Sequence, residues 1–122
     1  MGSIDFLLDT DVLIRAWRGD SILRTKLGAQ TVAIDTVARI EFLQGANKRQ
    51  QEAALDFIEK FEFIPFSPEV SFESDHLIRR FSHSNGLRLA DALIASTALI
   101  LGVPLYSFNK KHFEFIEGLK LL

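Results

Sequence analysis

The chain contains no cysteine. That excludes disulfides, thiol nucleophiles and thiolate metal sites, and leaves oxygen and imidazole as the plausible ligands. With 3 His against 16 Asp and Glu, oxygen dominates, so a bound metal is expected to be hard, Mg²⁺ or Mn²⁺. Excess positive charge is also missing. The 14 Lys and Arg leave a net charge of −2 and a pI of about 5.9, which speaks against a protein that coats nucleic acid without specificity. Any such contact must be local. A long apolar run is absent too: the stretch 89–103 carries Asp91 and is shorter than the roughly 18 residues that a membrane span needs. Met1-Gly2-Ser3 offers neither a basic region nor an apolar signal core, and Phe6 stands where a myristoylation pattern needs Ser or Thr. The expectation is a soluble, cytoplasmic protein with no membrane partner. Its 122 residues make one domain, 1–122, able to bury about two-thirds of its unfolded surface.

What is present is organised around Ile4-Asp5-Phe6-Leu7-Leu8-Asp9-Thr10-Asp11-Val12-Leu13-Ile14. A short apolar run bounded by acids reads as a buried strand, and Asp9-Thr10-Asp11 breaks it before helical spacing begins. Carboxylates therefore sit at the carboxyl end of a strand, where open α/β sheets bind ligands. The spacing predicts a short helix over 12–17 with Asp11 as its N-cap, and a second from Gly19-Asp20-Ser21 to Gly28. Arg15, Arg18, Arg24 and Lys26 form a basic window against one acid, Asp20. It reads either as a solvated helix face or as a phosphate contact.

Residues 31–34 are strand-like, and Asp35-Thr36 cap a helix in which Val37, Ile40, Glu41 and Gln44 share one side. Glu41 then lies on a core-facing edge, where an unpaired carboxylate is costly; the plainer reading has it reaching solvent or pairing near Arg39. Residues 48–61 form an amphipathic covering helix with Ala54, Leu55, Ile58 and Phe61 as its apolar stripe. Residues 63–66 are a short strand in which Pro65 argues for an edge position, and Ser67-Pro68-Glu69 opens a helix that ends near Asn85-Gly86. Asp75 and His76 on that helix cannot converge on one ligand and read as surface residues.

The run 89–101 is apolar all round, as expected of a central buried helix, with Asp91 its only charge. A helix dipole helps such a carboxylate by about 0.3–1 kcal/mol when exposed and about 2 when partly buried, less than its desolvation costs. A nearby cation accounts for it better than capping alone. A strand over 103–107 and a short helix after residues 108–113 complete the chain. Alternation of strands and helices implies an α/β, three-layer fold, a mainly parallel central sheet of four to five strands flanked by helices.

Asp9, Glu41, Asp91 and Asn109 can thus meet at one sheet edge. Carboxylates about 6 Å apart repel by roughly 3 kcal/mol per pair at an effective dielectric near 20, so such a site protonates one or recruits a cation.

With these residues assembled, the chain resembles the PIN-domain nucleases, and within them the small VapC-type toxins of toxin-antitoxin modules. The matching pieces are residues 7–14, Ile40-Glu41-Phe42 with Gly45, residues 89–95, and Ser107-Phe108-Asn109 with His112-Phe113. They occur in the family's order along nearly the whole chain. The resemblance implies a Mg²⁺- or Mn²⁺-dependent endoribonuclease that hydrolyses RNA through metal-activated water and leaves 5′-phosphate and 3′-hydroxyl ends. Asp9, Glu41 and Asp91 would be the acidic metal ligands, with Asn109 as the fourth catalytic position. It also implies an RNA substrate, a homodimer, and a small antitoxin that covers the acidic pocket.

Three residues depart from the family pattern. Asp11 stands where Asn is common, Asn109 is neutral where many relatives carry Asp, and Ala38 replaces a frequent hydroxyl. Thr10, Asp11 and Ser107 could orient metal waters or simply cap turns. His112 reads as packed in a turn beside Phe113, since metal activation needs no general base. Arg15, Arg88, Lys110 and Lys111 flank the motifs and are candidates for RNA phosphate contacts. Two other readings remain open. Asp9-Thr10-Asp11 fits the opening of haloacid-dehalogenase-like phosphohydrolases, with Asp9 as nucleophile, although no adjacent pair of carboxylates follows Asn109. A PIN-like module that only binds is the other.

Overall fold

The computed structural model describes residues 3–122; the reading of Met1 and Gly2 lies outside the described residues. Four strands, β1 (Phe6–Leu8), β2 (Val32–Asp35), β3 (Glu62–Ile64) and β4 (Leu105–Tyr106), form one sheet in the order β3-β2-β1-β4, all parallel. Leu121 adds a parallel bridge to Leu105. β3 is an edge strand as expected, but it spans Glu62–Ile64 and ends before Pro65, which cannot donate to a ladder. β4 covers only Leu105–Tyr106 of the strand expected over 103–107.

Alternation along the two central strands divides the core. Phe6, Leu8, Val32 and Ile34 face one side, with α1 (Thr10–Trp17), α2 (Ser21–Gly28), α3 (Thr36–Gly45) and α4 (Gln51–Ile58) supplying Leu13, Leu27, Phe42 and Ile58. Leu7, Ala33 and Leu105 face the other side, against α5 (Pro68–Asn85) and α6 (Leu89–Leu101). Strands buried on both faces need continuous apolar runs, and these three-layer packings use them so. Each crossover is closed by polar chemistry at the helix start. Asp20 accepts from Leu23 N, Asp35 from Ala38 N and Ser67 from Val70 N. Helices α5 and α6 end at Gly86 and Gly102, both at φ 70°, the left-handed conformation that glycine adopts without a Cβ penalty. No described helix is long and apolar enough to cross a membrane.

Four local expectations are corrected. The N-cap of α1 is Asp9, so the helix starts at Thr10 and Asp11 lies in its first turn. The core side of α3 is Ala38 and Phe42, while Ile40 and Glu41 are exposed; the face is set by the i, i+4 pair. On α4 Phe57, not Leu55, completes the stripe, because it packs between Trp17, Phe42 and Phe61. Helix α6 is buried only through its middle, with Leu89 69% and Ile100 48% exposed. Asp75 and His76 are exposed as expected, Asp75 pairing with Arg79. After β4 the chain forms a short 3₁₀ turn, Lys110–His112.

Candidate active site

The sheet register builds the site. Leu7 pairs with Ala33 on one side and Leu105 on the other. Two residues on, the same register sets Asp9 between Asp35 and Ser107, three side chains in a row on one face of the sheet's carboxyl edge. Asp9 is almost fully buried. Its Oδ1 accepts from Thr10 N (2.9 Å) and its Oδ2 from Ser107 Oγ (2.7 Å). Burial pushes the Asp9 carboxyl up to about 6, with the charges of Asp11 and Asp91 adding to the rise and the hydrogen bonds from Ser107 and Thr10 opposing it.

The remaining carboxylates reach this edge from other elements. Glu41, on α3, accepts from Thr10 Oγ1 at 2.5 Å, so it neither joins the core nor pairs with Arg39, whose guanidinium lies over Phe63. Asp91, in the first turn of α6, has a raised carboxyl pKa, chiefly through burial; His112 and Arg88 oppose the rise and Glu41 adds to it. His112 Nδ1 stands 3.4 Å from Asp91 Oδ2. The packed-turn reading of His112 is therefore corrected: Phe113 is buried, but the imidazole is more than half exposed and faces the acid. Asp11 accepts through Oδ1 from Val12 N (2.8 Å) and through Oδ2 from Phe108 N and Asn109 Nδ2 (both 3.1 Å). Its carboxyl pKa is raised by burial against those backbone bonds. Ser107 Oγ also accepts from Asn109 N (3.0 Å), which ties the fourth position to Asp9.

Asp9, Glu41, Asp91 and Asn109 thus share one edge, but they do not form a finished cage. Among the described residues no three Asp, Glu or His side chains are grouped closely enough to hold a metal as they lie. Each carboxylate is turned onto a neighbour: Asp9 onto Ser107, Glu41 onto Thr10, Asp91 onto His112. Mutual repulsion favours that arrangement. The donors are all oxygen apart from one imidazole, and the carboxyls of Asp9 and Asp91 are raised first by burial and then by neighbouring carboxylates, a charge that a cation would offset. They fit a hard divalent ion held partly through water.

Among the basic candidates, Arg15 lies over the Phe108 ring at 4.5 Å and shares an open groove with Arg18, Asp11 and Asn109. Arg88 precedes α6 and bears on Asp91, and Lys110 and Lys111 are exposed beside Asn109. Arg24 instead closes the end of α1, donating to the carbonyls of Ala16 and Trp17. One residue escaped the sequence reading altogether. Asp35, read only as a cap, is a fully buried carboxylate in the same row as Asp9. The signal was the repeated strand-Asp-Thr-helix pattern, Leu8-Asp9-Thr10 and Ile34-Asp35-Thr36.

A family model described as PIN domain matches residues 6–117. Among curated proteins, the chain is 34% identical to Ribonuclease VapC1 of Methanocaldococcus jannaschii, over 94% of this chain and 85% of the relative. Among solved structures, it is similar to VapBC2 from Rickettsia felis bound to a DNA fragment from their promoter (TM-score 0.84, 27% identity, 98% of each chain). A toxin-antitoxin complex from Klebsiella pneumoniae is also similar (TM-score 0.80, 28% identity, 97% of this chain and 96% of that one). The match across the whole fold sets aside the phosphohydrolase reading of Asp9-Thr10-Asp11.

Proposed function

The chain belongs to the PIN domain family as a ribonuclease of the VapC kind, and we propose that Asp9, Glu41 and Asp91 are the residues through which it binds Mg²⁺ or Mn²⁺ and cleaves RNA. The observation that carries this is the state of Asp9: a buried carboxyl with its pKa pushed up to about 6, among acids that raise it further. Such a group is poised to gain from a cation. When bound, the ion lowers the pKa of a water and neutralises charge developing on the scissile phosphate.

The chain's own residues do the positioning. Ser107 holds Asp9 by one oxygen and Thr10 N by the other, which fixes the carboxylate plane. Thr10 Oγ1 holds Glu41, a flexible side chain otherwise in solvent, at the same edge. His112 Nδ1 stands 3.4 Å from Asp91 Oδ2 and fixes where that carboxylate lies at the edge. Asp11 and Ser107 fix the loop that carries Asn109, so Asn109 contributes an oriented neutral amide. Arg15, Arg88, Lys110 and Lys111 surround the acids with positive charge and bind the RNA backbone locally, as a chain of net charge −2 requires.

The protein partners in this reading are a cognate antitoxin and a second copy of the chain, and the setting is the cytoplasm. Supporting the protein partners is one open apolar groove lined by Ile40, Phe66, Leu89 and Leu93.

The experiment is incubation of the purified protein with total RNA and Mg²⁺ or Mn²⁺ beside Asp91→Ala, followed by mapping of the cleaved ends. Internal cleavage that leaves 5′-phosphates, needs the metal and is lost in the variant supports the reading. Identical cleavage by the variant removes Asp91 from the mechanism.

A further inference from the structure

Asp35 is fully buried, and among the described residues its Oδ2 is the one buried side-chain oxygen or nitrogen without a hydrogen-bond partner. Its Oδ1 accepts from Ala38 N at 2.8 Å and so caps α3. A cap requires a single acceptor, which Ser, Thr or Asn supplies without a buried charge. Capping therefore accounts for one oxygen of Asp35 and leaves the other unexplained, and buried polar atoms of this kind are rare in folded proteins.

Its position suggests the explanation. The β1–β2 register sets Asp35 beside Asp9 on the same face of the sheet edge; burial is the main cause of its raised carboxyl pKa, and the charges of Asp9 and Glu41 add to the rise. Asp35 thus lies behind two of the acids assigned to the metal, with a free acceptor and no donor to meet it.

We propose that Asp35 is a positioning residue of the metal centre, its Oδ2 kept free for a donor from the hydration shell of the cation and its charge reinforcing that of Asp9 and Glu41. This rests on the assignment of Asp9, Glu41 and Asp91 as the metal site. Residues that orient the groups around a metal typically change its affinity 10- to 100-fold when altered. Asp35→Asn keeps the capping oxygen and removes the charge; Asp35→Ser keeps a capping hydroxyl and removes the second oxygen.

The test is a Mn²⁺ titration of the metal-free protein, with free Mn²⁺ followed by electron paramagnetic resonance, for wild type, Asp35→Asn, Asp35→Ser and Asp91→Asn. Thermal unfolding in chelator is recorded alongside. The expected result is that both Asp35 variants unfold no lower than wild type yet bind Mn²⁺ about 10-fold or more weakly, while Asp91→Asn abolishes binding. Wild-type affinity in a folded Asp35 variant, with binding still lost in Asp91→Asn, overturns this inference and leaves the site intact. A wild type that binds no Mn²⁺, or an Asp91→Asn protein that binds it normally, overturns the site assignment and this inference with it. If one variant fails to fold, the other decides; if neither folds, Asp35 is a structural cap and the inference is wrong.

Discussion

Asp11 and Asn109, 98 residues apart, are hydrogen-bonded to each other, Asn109 Nδ2 donating to Asp11 Oδ2 at 3.1 Å. Two of the three departures from the family pattern are therefore two ends of one contact. Against the pattern that the resemblance implies, the acid of this contact stands in the first turn of α1 and the amide in the loop after β4. The edge keeps both its charge and its donor–acceptor pair. The exchange also gives Asp11 the neighbouring Phe108 N–H.

The pair predicts a thermodynamic cycle. Asp11→Asn leaves the Phe108 and Asn109 donors short of an acceptor and is expected to cost about 1–2 kcal/mol. Asn109→Asp sets two carboxylates against each other and is expected to cost a similar amount. The double variant Asp11→Asn/Asn109→Asp restores one donor facing one acceptor. Its loss should fall short of the sum of the single losses by about 1 kcal/mol. Urea unfolding of the four proteins measures this, and strict additivity would mean that the contact carries no energy.

Ser107 tests how the site controls its own protonation. Its hydroxyl donates to Asp9 Oδ2, and that bond opposes the rise of the Asp9 carboxyl to about 6. Ser107→Ala raises the carboxyl further, so a larger share of Asp9 is protonated near pH 6.5 and unable to hold a cation. Mn²⁺ affinity is expected to drop about 10-fold there and to recover toward the wild-type value at pH 8, where Asp9 ionises in both proteins. Equal losses at the two pH values would point to misplaced geometry instead.

The order of elements, the parallel sheet, the edge position of β3 and the place of Asp9 at the carboxyl end of a buried strand could all be read from the sequence, because apolar runs and turn residues carry them directly. What could not be read is which way individual side chains turn once strands are in register. Asp9 and Asp11 look alike in the sequence. Only pairing with β4 reveals that Asp9 takes Ser107 while Asp11 reaches Phe108 and Asn109. Helical spacing in α3 admits several faces, one of them through Ile40, and packing selects Ala38 and Phe42. Asp35 was hidden for a related reason: an Asp before a helix explains itself as a cap until its second oxygen is counted.

Arg24 looked like one charge among several in a basic window, but its guanidinium donates to two carbonyls that end α1 and lies over Phe57. Carbonyls at a helix end lack the i+4 partner, and Ala16 O otherwise takes only the turn N–H groups that follow it, Gly19 N at 3.2 Å among them. Lysine cannot reproduce the planar fork, so Arg24→Lys is expected to lose about 1 kcal/mol, a fall of roughly 4 °C in Tm for a domain of this size. RNA cleavage by the folded protein should be unchanged. A variant with the wild-type Tm and weaker RNA binding would instead make Arg24 a phosphate contact.

Asp35 also predicts how the metal-free protein responds to pH. Burial raises its carboxyl from 3.8 to about 6, with the hydrogen bond from Ala38 N opposing the rise and the charges of Asp9 and Glu41 adding to it. The folded state thus binds this proton more tightly than the unfolded state does. Between pH 3.8 and about 6 the folded form carries more of it, so stability falls as pH rises through that window. Below the window the contribution is fully present, and above it the contribution is lost. A shift of this size corresponds to at most about 3 kcal/mol, reduced by any relaxation around the ionised group. Asp35→Asn keeps the cap without the titration. The difference in unfolding free energy between wild type and variant, measured in chelator from pH 3.5 to 8, should move in favour of the variant across the window and level off on either side. A difference that stays flat with pH would mean that Asp35 titrates alike in the folded and unfolded states, a donor to its Oδ2 in solution offsetting its burial.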